Sequence, residues 1–190
     1  MLTPDSFRAK FSQGLPYREY VKTGKPAHQD NWNTFHASVS LTNDQQSLVR
    51  SFSRKINVLV SSGTWCGDCV QQCPILERIE AANPNVISLR LLDRDEHKDL
   101  SEPLMICGGF RVPTVVFLNE DFEFLSLTGD RTLSRYRAIA AKQLGPSCPL
   151  PGAPVPKSEV ASAVADWAGE FERVHLMLRL SPKLRERYAD

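Results

Sequence analysis

The chain has 190 residues, of which 42% are hydrophobic and 24% are charged, a composition typical of a soluble globular protein with one core and short appendages. Its 23 basic and 22 acidic residues leave a net charge of +1, which argues against a nucleic acid or an anionic membrane as the main partner. No stretch approaches the ~18 uninterrupted apolar residues of a membrane span, and residues 1–14 lack the apolar region of a secretory signal.

Residues 1–54 are predicted to form a helical N-terminal extension. Thr3 is a typical helix cap because a proline follows it at the first helical position. A second short helix is expected within residues 16–24, and residues 25–40 are expected to be irregular. The Thr-x-x-Gln pattern that begins at Thr42 is a capping box, which predicts a further helix before the first strand.

Residues 55–144 alternate between strand and helix patterns and are predicted to be the central domain. The expected strands are 56–60, 86–92, 114–118 and 122–127, and the expected helices follow the first strand and occupy 96–105 and 131–144. This order, β-α-β-α-β-β-α, predicts an α/β fold with a mixed sheet flanked by helices, in which the last two strands form a hairpin.

The C-terminal part is predicted to be a Pro-rich linker followed by one amphipathic helix. Residues 145–157 hold five prolines, which makes a linker stiff. In residues 158–190 the apolar side chains recur at spacings of four and three and form one stripe, made by Val160, Val164, Trp167, Phe171, Val174 and Leu178. We expect this stripe to dock against the chain's own domain; the alternative is a coiled-coil seam, which would make a homodimer through the C-terminal helix.

Three of the five cysteines, Cys66, Cys69 and Cys73, lie within eight residues shortly after the first predicted strand. In a reducing compartment such crowding indicates redox or metal chemistry, and we expect a cytoplasmic protein. A Cys-x-x-Cys pair on a turn that enters a helix brings two sulfurs within disulfide distance. The amides and the dipole of the helix should lower the pKa of the Cys66 thiol. Cys66 is therefore predicted to be the nucleophile, and Cys69 the thiol that resolves the mixed disulfide.

Metal binding is the alternative for this cluster. The Cys-x2-Cys-x3-Cys-Pro run also ends a bacterial ferredoxin motif, and zinc half-sites share the Cys-x-x-Cys pair. The upstream cysteine of the ferredoxin motif is missing here, and Cys107 or Cys148 could complete a four-cysteine site only through long-range folding. We therefore expect no metal and no cofactor, with Cys107 in a core and Cys148 in the linker. Cys73 is expected to be a buried packing residue, with a third redox thiol as the alternative.

The cysteine cluster and its surroundings resemble the thioredoxin superfamily. The first strand, the Trp-Cys-Gly-Asp-Cys sequence at residues 65–69 and Pro74 resemble the strand and helix that carry the active site in that family. Val112-Pro113-Thr114 resembles the cis-proline loop that faces the disulfide, and Gly129 falls where the family has a glycine turn. The Trp-Cys-Gly-Asp-Cys variant, the Asp93-Arg94-Asp95 run and the helical N-terminal extension resemble a bacterial branch of thioredoxin-like proteins.

This resemblance implies a thioredoxin-like mixed sheet and a thiol–disulfide oxidoreductase, in particular a protein-disulfide reductase. Its substrate would be a protein or small-molecule disulfide, and its electron donor is unknown. A redox-sensing or partner-binding module on the same scaffold is the alternative. The resemblance also implies a cis Val112–Pro113 bond and a set of residues that support the two cysteines: Trp65, Gly67, Asp68, Val112 and Pro113.

Two positions depart from the family pattern. Asp68 replaces the usual proline between the cysteines, and its charge is expected to raise the pKa of the Cys66 thiol and make the site more reducing. The family carries a buried aspartate six residues before the first cysteine, and that position is Val60 here. The proton acceptor for Cys69 would therefore be Asp68, Asp93 or water.

Overall fold

The computed structural model describes residues 2–143 and 159–189. Residues 2–54 form four helices: α1 (Pro4–Gln13), α2 (Tyr17–Lys22), α3 (Pro26–Ser38) and α4 (Asn43–Arg50). Thr3 and Thr42 cap α1 and α4 as predicted. In both caps the threonine side chain accepts a hydrogen bond from a backbone amide of the first turn, and the side chain of the third helical residue accepts one from the backbone N–H of the threonine.

Residues 26–38 form helix α3, so the expectation of an irregular chain in this region is wrong. Pro26 occupies the first helical position, where its fixed φ favours the helix and its missing N–H is not needed. The helix has one buried residue, Trp32, whose indole packs against Tyr17 and Tyr20 with both ring centroids 5.7 Å away. A single buried anchor produces no apolar periodicity, which is the signal that a sequence prediction needs.

The central sheet is mixed, as predicted. Its strands are β1 (Ile56–Ser62), β2 (Ile87–Asp93), β3 (Thr114–Leu118) and β4 (Phe124–Gly129), and their order is β2-β1-β3-β4. β1 pairs in parallel with β2 and antiparallel with β3, and β3 pairs antiparallel with β4. The further helices of the described residues are α5 (Gly67–Ala82), α6 (Lys98–Ser101), α7 (Leu133–Gln143), α8 (Glu159–Leu180) and α9 (Pro182–Tyr188).

Every residue of β1 is buried, because its side chains alternate between two apolar clusters. Val58 and Val60 belong to the larger cluster, which includes residues of α2, α5 and α8. Leu59 belongs to the smaller one, together with Phe7 of α1 and Leu100 of α6. The strand that leads to the cysteine cluster is therefore fixed from both faces of the sheet.

The segment between β2 and β3 contains less helix than predicted. α6 covers Lys98–Ser101 rather than residues 96–105, and a tight turn follows in which Ile106 and Gly109 exchange backbone hydrogen bonds of 3.0 and 3.1 Å. Cys107 lies in this turn with a φ of 51° and is exposed. The expectation that Cys107 belongs to a core is therefore wrong, because a tight turn with positive φ lies at the protein surface.

α8 docks against the chain's own domain, which confirms the preferred interpretation of its apolar stripe. The buried members of the stripe are Val164, Trp167, Phe171, Val174 and Leu178. Phe171 meets Phe117 of β3 edge to face, with 5.1 Å between the ring centroids. Because this face is buried within the chain, it is not free to form the coiled-coil seam of a homodimer.

The predicted linker at residues 145–157 lies outside the described residues, and so does Cys148. Neither α8 nor any other helix of the described ranges is long and apolar enough to cross a membrane.

Candidate active site

The two candidate cysteines lie where β1 passes into α5. Cys66 has an extended backbone, with φ −86° and ψ 123°, and is the N-cap of α5, which begins at Gly67. The Cys66 carbonyl oxygen accepts a 3.0 Å hydrogen bond from the Val70 amide, which closes the first turn. Cys66 is half-buried, whereas Cys69, one turn further in, is completely buried. One thiol is therefore open to a substrate, and the other lies behind it.

A loop before β3 faces the Cys66 thiol. The Val112–Pro113 peptide bond is cis, as predicted. Cys66 Sγ donates a 3.5 Å hydrogen bond to the Val112 carbonyl oxygen, so the loop and the thiol are in contact. Gly129 at the end of β4 allows close packing of this loop, because a Cβ there would lie 2.7 Å from the Pro113 carbonyl oxygen. Contact with the Pro113 carbonyl oxygen therefore explains why position 129, which the family resemblance singled out, is a glycine.

Trp65 forms an exposed rim beside the thiol. Its side chain is 49% exposed, and the Arg94 guanidinium carbon lies 4.7 Å from a Trp65 ring centroid, within cation–π distance. Arg94 also donates a 2.8 Å hydrogen bond to the Phe110 carbonyl oxygen. Gly63 makes room for the indole, because a Cβ there would lie 2.7 Å from Trp65 Cε2, whereas a Cβ at Gly67 would meet nothing within 4 Å. Arg94 thus joins the rim to the neighbouring loop.

Asp68 is held in an ion pair on the surface of α5. Its Oδ2 accepts a 2.6 Å hydrogen bond from Arg131 Nη2, and Arg135 Nε lies 3.9 Å from its Oδ1. The two cations balance the carboxylate charge, so its predicted effect in raising the pKa of the Cys66 thiol is reduced. We still predict that Asp68 makes the site more reducing, but we now expect a smaller shift of the reduction potential.

A buried aspartate connects α5 to the loop before β3. Asp130 is 4% exposed, and its Oδ2 accepts hydrogen bonds from Arg111 at 3.1 Å and Arg131 at 3.3 Å. Its Oδ1 accepts from the Tyr136 hydroxyl, and its backbone carbonyl oxygen accepts from Gln72 of α5 at 2.5 Å. Burial alone would raise the pKa of Asp130, but the donors hold that pKa below its usual value. Sequence reasoning missed this residue, because one aspartate after a strand carries no local signal.

The two active-site thiols contact each other and titrate as a pair. A hydrogen bond with Cys69, followed by burial, raises the pKa of the Cys66 thiol, while the backbone amides of Cys69 and Asp68 act in the opposite direction. Burial raises the pKa of the Cys69 thiol as well. The same hydrogen bond lowers the pKa of the Cys69 thiol, so it favours one thiolate over the other within the pair. The expectation of a Cys66 pKa below that of a free thiol stays a prediction.

Cys73 lies one turn beyond Cys69 and is fully buried. Its Sγ is 3.8 Å from Ser62 Oγ, an arrangement that suits a packing residue with one weak polar contact. Its use as a third redox thiol stays a prediction. Within residues 2–143 and 159–189, no three His, Cys, Asp or Glu side chains are grouped as ligands for a metal ion.

The fold and the site together define a class of protein. A mixed sheet delivers a Cys-x-x-Cys pair to the start of a helix, and a cis-proline loop contacts the first sulfur. This arrangement is that of the thioredoxin-like α/β proteins. A sequence profile of a family described as thioredoxin matches residues 14–135. The chain belongs to the thioredoxin family.

Solved structures extend the likeness beyond the matched segment. A protein of unknown function from Pseudomonas aeruginosa superposes with a TM-score of 0.65 over 90% of this chain and 99% of that chain, at 20% sequence identity. An HIV epitope-scaffold superposes with a TM-score of 0.63 over 85% of this chain and 97% of that chain, also at 20% identity. The likeness concerns the fold, and it covers more of the chain than residues 14–135. A comparison with curated proteins found no match.

Proposed function

We propose that the protein is a thiol–disulfide oxidoreductase, and in particular a protein-disulfide reductase of a bacterial thioredoxin-like branch. The placement of Cys66 carries the proposal. This thiol is half-buried at the N-cap of α5 and lies 3.5 Å from the Val112 carbonyl oxygen, with Cys69 buried behind it. A substrate disulfide can reach a thiol in this position, and a second sulfur one turn away can then release the product.

The proposed reaction consists of two exchange steps. The Cys66 thiolate attacks one sulfur of the substrate disulfide, which forms a mixed disulfide and releases the other substrate sulfur as a thiolate. Cys69 then loses its proton and attacks Cys66 Sγ, which breaks the mixed disulfide and releases the second substrate sulfur. The substrate disulfide gains two electrons and two protons. The protein is left with a Cys66–Cys69 disulfide, which an external dithiol must reduce.

The surface around Cys66 supports a polypeptide as the substrate. Trp65, Phe110 and Tyr136 are 49, 44 and 39% exposed, and Arg94 and Asp130 connect them to the site. Exposed aromatic side chains offer apolar contact to a partner, and the backbone of the loop before β3 can pair with an extended segment. We further propose that the protein works in the cytoplasm with a dithiol donor, and not on nucleic acids or membranes.

Reduction of insulin by dithiothreitol, followed as the turbidity of the precipitating chain, tests the proposal. We expect the wild type to accelerate this reaction and Cys66→Ser to lose the acceleration. Cys69→Ser should accumulate a mixed disulfide on Cys66 that mass spectrometry detects. Cys107→Ser removes an exposed thiol outside the pair and should keep the wild-type rate.

Two results would contradict the proposal. The first is a wild type that does not accelerate the reduction, and the second is a Cys66→Ser variant that keeps the full rate. A wild type that forms one mixed disulfide on Cys66 without turnover would favour the redox-sensing or partner-binding module instead.

A further inference from the structure

A cavity of about 180 Å³ lies beside the active-site motif. It is bounded by α3, by α5 and by the first turns of α7 and α8. Asp68, which stands between the two cysteines of the motif, belongs to its wall. An apolar cavity of about 150 Å³ can hold a benzene ring. The space is therefore large enough for a small organic molecule with one ring.

One wall of the cavity is apolar. Phe35 of α3 and Val160 and Ala163 of α8 form this wall, and all three are partly buried against the larger apolar cluster. A ligand that covers these side chains would remove apolar surface from water, which favours binding. An aromatic ring gains further from packing against the ring of Phe35. This wall therefore suits an aromatic ligand.

A buried oxygen atom beside the cavity has no hydrogen-bond donor. Gln72 lines the cavity and is 3% exposed, and its Nε2 donates a 2.5 Å hydrogen bond to the Asp130 backbone carbonyl oxygen. Because only the amide nitrogen can donate to a carbonyl, this bond fixes which end of the Gln72 side chain is the oxygen. That oxygen, Oε1, accepts no hydrogen bond within residues 2–143 and 159–189. A buried acceptor without a donor is costly, so a ligand N–H at this position would be favourable.

A donor without an acceptor lies at the same end of the cavity. Arg135 Nε is buried and makes no hydrogen bond in the part of the chain that the structure describes. It lies 3.9 Å from Asp68 Oδ1, which is beyond hydrogen-bond distance. Asp68 and Gln72 are four positions apart in α5 and therefore share one face of that helix. Gln72 Oε1 and Arg135 Nε thus flank Asp68 and form the polar end of the cavity.

The charges around the cavity are balanced, which favours a neutral ligand. Asp68 pairs with Arg131 at 2.6 Å. Glu159 pairs with Arg135, also at 2.6 Å. An anion would meet the two carboxylates and a cation would meet the two arginines, so neither gains from binding here. A carboxamide group is neutral and offers both an N–H donor and a carbonyl acceptor.

We propose that this cavity binds a small, uncharged aromatic carboxamide. Its ring packs between Phe35 and Ala163, its N–H donates to Gln72 Oε1, and its carbonyl oxygen accepts from Arg135 Nε. The residues that line the cavity include no cysteine. The binding therefore goes beyond the proposed exchange chemistry and does not depend on it.

Benzamide is the probe for this site. Titrated into the reduced, ¹⁵N-labelled full chain, it should cause saturable shifts of the amide signals of Asp68, Gln72 and Arg135. We expect a dissociation constant of about 1 mM or below, an ordinary affinity for so small a ligand. Acetophenone has the same ring and carbonyl group but a methyl group in place of the NH₂. It should bind about tenfold more weakly, because Gln72 Oε1 then stays unpaired. Benzoate should also bind more weakly than benzamide, because its charge lies near Asp68 and Glu159.

A matched pair of variants tests the position of the ligand. Ala163→Leu fills the space beside the apolar wall and should weaken benzamide binding at least tenfold, since the ring can no longer enter. Ala165 lies two positions further along α8, is exposed and does not line the cavity. Ala165→Leu makes the same change outside the site and should keep the wild-type affinity.

Three outcomes would overturn the proposal. The first is the absence of saturable shifts at benzamide concentrations about ten times the expected dissociation constant. The second is equal benzamide affinity of Ala163→Leu and Ala165→Leu, and the third is equal affinity of the wild type for benzamide and acetophenone. If Ala163→Leu does not fold, the comparison of the three probes on the wild type decides alone. Insulin reduction tests the reductase proposal separately, and none of these outcomes bears on it.

Discussion

The outer and inner sides of the first turns of α5 have opposite chemistry. On the outer side, Asp68 pairs with Arg131, and Trp65 is half-exposed. On the inner side, Cys69 and Ser62 are fully buried, and the Ser62 hydroxyl lies 3.8 Å from Cys73 Sγ. The outer side is charged and open to solvent, whereas the inner side is neutral and closed.

This difference separates two parts of the proposed reaction. Charged side chains at the outer side are partly solvated, so replacing or neutralising them should change the free energy of unfolding only slightly. A new charge on the inner side would lose its hydration without gaining a partner, so it would be costly. The contact with the substrate and the transfer of the Cys69 proton are therefore expected to respond to different substitutions.

A charge on the inner side should have the largest effect. Val60→Asp places a carboxylate in the fully buried β1, within the same apolar cluster as Cys69. We expect the free energy of unfolding at pH 7 to fall by roughly 3–5 kcal/mol, the cost of an unpaired buried charge. Urea unfolding measures this loss. Val60→Asn has the same size without the charge and should lose less; an equal loss in both variants would contradict a closed, neutral inner side.

A side chain at the end of β4 should have the next largest effect. In Gly129→Ala the new Cβ would lie 2.7 Å from the Pro113 carbonyl oxygen, and overpacking of this kind costs roughly 1–3 kcal/mol. Displacement of Pro113 by the new Cβ should also move Val112 away from Cys66 and slow insulin reduction. In the control Gly169→Ala the Cβ meets nothing within 4 Å in α8, and we expect a gain of about 0.5–1 kcal/mol. Similar stabilities of the two variants would refute the steric role of Gly129.

Removal of the Asp130 charge should cost about 1–3 kcal/mol at pH 7, because Arg111, Arg131 and Tyr136 lose a buried charged acceptor. The pKa of Asp130 is lowered by folding. Its contribution is therefore present above the pKa of the unfolded state and is lost as the pH falls through the folded-state pKa. Below about pH 4, the stability of the wild type should fall more steeply than that of Asp130→Asn. Parallel curves from acid titrations followed by circular dichroism would argue against this network.

The smallest effect is expected at Asp68. Asp68→Asn should make the reduction potential less negative by at most about 20 mV, since partly exposed ion pairs contribute ~1 kcal/mol or less. The same substitution in an Arg131→Gln background should shift the potential further, because Arg131 no longer balances the carboxylate. Equilibration with glutathione measures both shifts. If the shift is the same in the two backgrounds, Arg131 does not mask Asp68.

Predictions from the sequence succeeded where the signal is local. The cap at Thr3 follows from the adjacent proline, the capping box at Thr42 from a residue three positions later, and β1 from a contiguous apolar run. Helix α3 was missed because it has one buried residue, Trp32. Cys107 was misplaced because cysteine is usually buried, whereas its exposure here follows from a turn with positive φ.

The amino-acid pattern alone predicts two cysteines one helical turn apart after a buried strand, with a Val-Pro bond far along the chain to face them. Which groups surround those cysteines depends on the folded chain. Asp68 pairs with Arg131 63 positions away, and Gln72 binds Asp130 58 positions away. The adjacent thiol and burial act on the Cys66 pKa against the backbone amides of the helix. The physical reason is that charge pairing and desolvation depend on distances in the folded core, whereas periodicity records only which side of one element faces that core.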